Sequence, residues 1–370
     1  MLTYCTNIHP GESWADVRAN LEAHCVAVKA AVLPDAAFPI GLRLSNQAAC
    51  DVTPDESRRF RDWCEANDCF VLTVNGFPYG QFHGTAVKEK VYEPDWRDPA
   101  RVAYTTRIAD LLAMWLPAGV RGSISTVPIA FRPGFAATDW TSVRAHLVQV
   151  LEHLDAIRQR NGVEIILAIE PEPRCVLETT AEAVAFFERM HFPQGIADLA
   201  GLCFDCCHQA VAFEDPATSL AALRAAGVVI GKVQVSVSLR AVGEEIANLA
   251  RFDEPTYLHQ VVARDHDGSL ARWIDLPDFF AESAARRSSI AECRVHFHVP
   301  IFADHLGHCG TTRFFLEDIL PQLDPTIPLE VETYSWDALP AELRTESVAE
   351  SVARELRWVQ ETLDASHRRS

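Results

Sequence analysis

Short, almost uninterrupted apolar runs alternate along this chain with longer stretches whose apolar positions recur every three or four residues. The runs LTYCTNI (2–8), FPIGLRL (38–44), CFVLTVN (69–75), GSISTVPIA (122–130), EIILAIE (164–170), LAGLCFD (199–205), VVIGKVQVSV (228–237) and IPLEVET (327–333) predict eight strands. The helical stretches fall at about 13–31, from Thr53 onward, and at 99–116, 139–160, 180–190, 216–226, 311–320 and 343–364. Strands that are apolar throughout, instead of alternating, belong to a parallel sheet covered on both faces. Strand followed by helix eight times is the pattern of a single (β/α)8 barrel.

Local signals set the helix starts. Ser13 with Asp16 has the spacing of a capping box, and Thr53 is a cap followed by Pro54 in the first turn, with Glu56 placed to reach back. One further run, RVHFHVPIF (294–302), reads as a ninth strand and is assigned to an insertion of about 238–310 after strand seven. A second long loop follows strand three, NGFPYGQFHGTAVKEKVYEPDWRD (75–98), too long for an idle connection and expected at the rim of a site.

With 370 residues and 48% hydrophobic composition, the barrel accounts for the chain as one domain, 1–370. Thirty-three Lys and Arg against 51 Asp and Glu leave a formal charge of −18, which argues against nucleic acid and anionic lipid as partners. The start MLTYCTNIHPGESW lacks the basic and apolar regions of a signal peptide, and no run reaches the roughly 18 apolar residues of a membrane span. A cytoplasmic protein follows, its 11 cysteines expected mostly as reduced core thiols. A homo-oligomer remains open.

Chemistry gathers at the ends of the later strands. Glu170 closes EIILAIE, Asp205 and His208 lie in FDCCH, His296 and His298 alternate with apolar residues in RVHFHVP, and Glu332 ends IPLEVE. Carboxylates and imidazoles delivered singly by successive strand ends suit a site for a divalent cation, Mn, Mg, Co or Zn, at a barrel mouth. Glu332 is flanked by apolar residues, where a glutamate is seldom buried without a partner, while Glu330 lies nearer the strand's start. Arg43 and Asn75 end strands two and three, His83 lies in the long loop, and Lys232 shares a strand face with Gln234. Each is a candidate substrate contact, with a salt bridge, turn cap or core ion pair as the plain alternative. Cys203 and Cys206 have C-x-x-C spacing without a second such pair and read as core thiols; His305, His308 and Cys309 stand in a loop outside the site.

The stretches LTYCTNIHPGESW, GLRLS, NGFPYGQFHG, KEKVYEPDW, VHFHVP and LEVETYSW resemble the E protein of the ebo metabolite-traffic clusters, over nearly the whole chain. That family in turn resembles the xylose-isomerase-like barrels, which include sugar isomerases, ketose 3-epimerases and the endonuclease IV class. The resemblance implies metal ligands at Glu170, Asp205 and Glu332, and a ligand at the strand-seven position where this chain has Gln234. A glutamine oxygen is a weaker donor than imidazole, so His296 and His298 are candidates to complete the centre. It also implies Glu170 and Glu332 as the acid/base pair, with His208 orienting a substrate hydroxyl or supporting Asp205.

Three functions are compatible with these residues. The first is a divalent-metal-dependent isomerase or epimerase acting on a sugar, sugar phosphate or polyol, by proton transfer next to a carbonyl. The second is a metal-dependent hydrolase or phosphoesterase of the endonuclease IV-like branch, which the extra histidines favour. The third is a non-catalytic component of metabolite traffic, since fold alone does not certify turnover.

Overall fold

The computed structural model describes residues 1–368. Eight parallel strands, Leu2–Tyr4, Phe38–Arg43, Cys69–Asn75, Gly122–Thr126, Ile165–Ile169, Ala200–Asp205, Val229–Val235 and Leu329–Val331, follow one another around a barrel, referred to below as strands one to eight. Strand eight pairs with both strand seven and strand one. A parallel bridge between Cys5 and Gly41 joins strand one to strand two and completes the ring. The fold is thus the (β/α)8 barrel that the apolar runs imply, with long excursions after strands three and seven.

The helices begin where their caps place them. Ser13 and Asp16 form a reciprocal capping box. Thr53 accepts from the Glu56 amide, but the Glu56 carboxylate does not reach back to the cap; it binds Arg59 and the Trp14 indole instead. The helical stretch near 13–31 is Trp14–Asn20 and Val26–Val32 joined by one π turn, Leu21–Cys25. Two short helices have no signal in the apolar pattern, Asn46–Asp51 and Cys206–Val211. The second is part of the site described below.

Between strands seven and eight the chain builds a second, antiparallel sheet from Leu239–Val242, Val261–Asp265, Leu270–Trp273, Ile290–Val295, His305–Leu306 and Cys309–Thr311. RVHFHVPIF is therefore not a barrel strand. Its first half closes the strand Ile290–Val295, and the chain from His296 onward leaves the ladder, tied by the His296 amide to the Gln260 carbonyl and by the Val299 amide to the Val237 carbonyl. These ties carry the two histidines over the end of strand seven.

The barrel interior is layered, and its lower layer is polar. Lys232 of strand seven and Glu330 of strand eight form an ion pair with no solvent exposure. Gly41 makes room for it: a Cβ there would press against the Glu330 carboxylate and lie 2.6 Å from the Tyr4 carbonyl oxygen. Nearby, Thr3 Oγ1 donates to the Pro39 carbonyl and Thr73 bonds the Ser123 hydroxyl, so the layer is held by local partners.

Candidate metal centre

Above that layer, at the C-terminal ends of the strands, Glu170, Asp205 and Glu332 converge; one oxygen from each lies within 4.8 Å of the others. All three are buried. Glu170 follows the last residue of strand five, and the prolines at 171 and 173 prevent the ladder from continuing. Asp205 ends strand six and is the N-cap of Cys206–Val211, its Oδ1 accepting from the His208 amide at 2.8 Å and from the Ser236 hydroxyl at 2.8 Å. That cap explains the D-x-x-H spacing: it commits one carboxylate oxygen to the backbone and brings His208 in the first helical turn back over the site. Glu332 Oε1 accepts from Asn7 Nδ2 at 2.7 Å and Asn75 Nδ2 at 3.0 Å.

Among the described residues no lysine or arginine forms an ion pair with this trio, the nearby Lys232 being paired with Glu330. Glu170 Oε2 and Asp205 Oδ2 have no hydrogen-bond partner, and neither has either amide atom of Gln234, which is fully buried in register between Asp205 and Glu330. Burial, then the mutual repulsion of the carboxylates, pushes Glu170 and Glu332 well above the usual carboxylate range, and burial raises Asp205. Orphaned buried oxygens of this kind are what a hard or borderline divalent cation satisfies, so the residues fit such an ion.

A second set of donors adjoins the first. His208 Nδ1 lies 2.9 Å from the Pro171 carbonyl, His298 Nδ1 3.0 Å from the Glu332 carbonyl, and His296 Nδ1 2.7 Å from Gln260 Oε1. Backbone carbonyls only accept, so His208 and His298 must carry their proton on Nδ1. Burial depresses His208 to about 3 and His298 to about 4, and holds His296 well below its ordinary value, so all three rings are neutral. Their Nε2 atoms therefore offer lone pairs, and these meet: His296 Nε2 is 3.1 Å from His208 Nε2 and 3.2 Å from His298 Nε2. Neither contact has a proton to share if His296 also protonates on Nδ1, and three facing lone pairs are the donor set of a zinc-type ion. Asp205 reaches His208 and His298 within the same 4.8 Å limit, which links the two sets.

Several contributors carried no signal in the apolar pattern. Glu172, two residues after Glu170, is buried beside His208 and His296, accepts from Tyr92 OH at 2.6 Å, and is raised to about 8 by burial. Cys207 groups with His296 and His298. Asn7, Tyr92, Gln260 and Tyr334 complete the surroundings, with Tyr334 OH 3.4 Å from His296 Nε2.

The other residues singled out from the sequence fall as follows. Asn75 lines the cleft. Arg43 is buried, its two terminal nitrogens are bound by Glu12 and the Gly11 and Gly80 carbonyls while its Nε has no partner, and it does not line the cleft. His83 packs against Phe82 and Tyr257 outside the lining. Lys232 is held below the floor by Glu330. Gln234 is likewise in the barrel interior and not among the lining residues.

The cleft above these carboxylates and imidazoles encloses about 510 Å³ counting its open mouth. Its floor is Asn7, Asn75, Glu170, Glu172, His208, His296 and Glu332. Its walls are largely apolar and come from the excursion after strand three (Phe77, Phe82, Val87, Val91), from the chain between strands seven and eight (Tyr257, Leu258), and from Tyr334. Phe82, Tyr257 and Tyr334 pack on one another with ring centroids 5.1–5.3 Å apart and roof the floor. Lys88 is the one lysine or arginine in the lining among the described residues, and it is bound to Asp275 at 2.6 Å.

The same architecture occurs in solved structures of remote sequence. A xylose isomerase-like TIM barrel protein from Mycobacterium smegmatis in complex with magnesium superposes with a TM-score of 0.57 at 10% identity, covering 99% of this chain and 97% of that one. An L-ribulose 3-epimerase gives 0.54 at 14% identity, covering 100% and 96%. The IOLI protein with a binding zinc atom gives 0.52 at 12% identity, covering 99% and 98%. Structural neighbours of this chain are thus xylose-isomerase-like sugar epimerases and isomerases, some of them metal-bound; at these identities the likeness is one of fold. No protein-family model matches the sequence, and no curated protein does. Among the described residues no helix is long and apolar enough to cross a membrane.

Proposed function

We propose that this barrel is a divalent-metal-dependent isomerase or epimerase acting on a neutral, sugar-like metabolite. The observation that carries the reading is the convergence of Glu170, Asp205 and Glu332 at the strand ends without a protein cation. A bound divalent ion would polarise a substrate carbonyl and offset the charge that develops when the adjacent carbon loses its proton. Glu170, Asp205 and Glu332 would hold it, with Gln234, His296 and His298 as the further candidates. The chain's own groups are arranged unequally for the proton transfer. Two amide donors favour the ionised form of Glu332 and suit it to remove a proton, while the unpartnered Glu170 oxygen suits it to hold and return one. Three carboxylates and a single, engaged lysine line the cleft, so it favours a neutral polyol over a phosphorylated one.

Membership of the ebo-cluster E family, and with it a place in metabolite traffic in the cytoplasm, is supported by where the shared motifs lie. CTNIHP supplies Asn7, the NGFPYGQFHG loop supplies Asn75, Phe77 and Phe82, VHFHVP supplies both histidines, and LEVETYSW supplies Glu332 and Tyr334.

The test is solvent deuterium exchange. Metal-loaded protein incubated in D2O with a panel of aldoses and ketoses is expected to place deuterium next to the carbonyl of one of them, and Glu170→Gln is expected to abolish it. Loading with full metal content and no exchange across the panel would overturn the reading. One observation favours a second function, a metal-dependent hydrolase: the three converging imidazole lone pairs suit a second ion, and two ions about 3.5–4 Å apart activate water for displacement. Two bound metals per chain with no exchange is the result that selects it.

A further inference from the structure

His296 differs from its two neighbours in how its proton is placed. His208 and His298 face backbone carbonyls, which admit one tautomer. His296 Nδ1 faces a side-chain amide, Gln260 Oε1, at 2.7 Å, with Glu172 Oε1 farther off at 3.4 Å, and the amide serves only if it cannot turn over. It cannot. Gln260 Nε2 lies 2.7 Å from Tyr92 OH, 3.1 Å from Glu172 Oε1 and 3.2 Å from the Pro173 carbonyl. The Pro173 carbonyl is an acceptor only, and Tyr92 OH already donates to Glu172 Oε1 at 2.6 Å, so that oxygen accepts and Tyr92 OH too accepts from Gln260. A flipped amide would set its oxygen against all three. Gln260 and Tyr92 are fully buried and Glu172 nearly so, and they come from three separate excursions of the barrel.

We propose that Gln260, oriented by Glu172 and Tyr92, is a positioning residue that locks His296 in the Nδ1-protonated tautomer and so presents its Nε2 lone pair to the metal floor. The inference rests on the metal reading above, but the tautomer exists without the metal. The lock acts at a distance from the ligand atom: it selects which nitrogen is bare, fixes the ring plane, and ties the chain between strands seven and eight to the loop after strand three.

The experiment is nitrogen NMR of 15N-histidine-labelled, metal-free protein, followed by zinc(II) titration. In the wild type, His296 should show a protonated Nδ1 and a bare Nε2. Gln260→Leu should shift His296 toward mixed tautomers and lower zinc affinity about 10–100-fold, the usual cost of an outer partner. His298, held by the Glu332 carbonyl, serves as the internal control and should not move. The milder Tyr92→Phe should shift His296 in the same direction to a smaller extent. Unchanged His296 signals in Gln260→Leu, or a joint shift of His296 and His298, would overturn the proposal. If the tautomer moves as expected while the wild type binds no zinc, the lock stands and the metal reading falls.

Discussion

Glu330 and Glu332 lie two residues apart on the strand-eight segment, project to the same side and are both buried, yet only Glu330 is given a cation. Lys232 crosses from the neighbouring strand to meet it, and Gly41 leaves the space. One layer higher, Glu332 meets two neutral amides and two further carboxylates. Burying a carboxylate without a partner costs several kcal/mol, so a fold selected for stability alone would have no reason to gather three. The lower layer shows that this barrel can neutralise a buried acid with its own side chains. The upper layer has no such partner among the described residues, and the proposed divalent ion would supply it.

The largest effect that tests this contrast comes from the lower pair. Glu330→Gln strands a lysine charge in the barrel and is expected to cost about 3–5 kcal/mol in denaturant unfolding while leaving metal content per folded chain unchanged. Replacing both partners with apolar residues, Lys232→Met with Glu330→Leu, should recover most of that loss. A single substitution costing under about 1 kcal/mol would break the distinction between the layers.

Glu332→Gln should do the reverse. The metal-free protein is expected to be as stable as the wild type or more so, because the variant removes one of three repelling carboxylates. Metal affinity should fall by about a hundredfold or more, roughly 2.7 kcal/mol, since a direct ligand matters at least as much as an outer partner. Elemental analysis of the purified variant reads it, and wild-type metal content there would remove Glu332 from the centre. The raised carboxyls give the pH sign: protons compete with the ion, so affinity in the wild type should climb as pH rises.

The two layers were not equally legible in the sequence. Apolar runs ending in Glu170, Asp205 and Glu332 disclose the barrel and its acidic mouth together, because a charged residue at the end of a buried strand has few other uses. Glu330 and Glu332 share one parity, and only position along the strand, with Glu330 nearer its start, separates them. Glu172, Gln260 and Tyr92 could not be found this way. Glu172 and Gln260 lie in irregular chain and Tyr92 ends the short 3-10 helix Lys88–Tyr92, where neither the period of two nor that of 3.6 says which way a side chain points, and their partners come from other excursions. RVHFHVPIF shows the same limit from the other side: its alternation is that of a strand, but the ladder ends at Val295 and the histidines take their direction from contacts with Gln260 and Val237.

Glu355, in the C-terminal helix Val348–His367, supplies the intermediate case and the smallest effect. It is buried like the others but is met by neutral donors, the Ile301 amide at 3.0 Å and the Thr333 hydroxyl at 2.7 Å, with Oε2 left bare. Burial raises it from the ordinary 4.5 to about 7. Between those two values the unfolded chain binds fewer protons than the folded one, so this group withdraws stability as pH climbs from about 4.5 to about 7. Glu355→Gln keeps an acceptor and cannot ionise. It should therefore gain about 3 kcal/mol on the wild type between pH 4 and pH 8, and because an amide with no acceptor costs it about 1–2 kcal/mol at every pH, it should be about 1–2 kcal/mol more stable at pH 8 and less stable near pH 4. Because no metal ligand is touched, metal content should stay as in the wild type. A stability gain that instead persisted at pH 4 would mean that two neutral donors suffice for a buried acid in this barrel, and the lack of a cation around Glu170 would then lose its meaning.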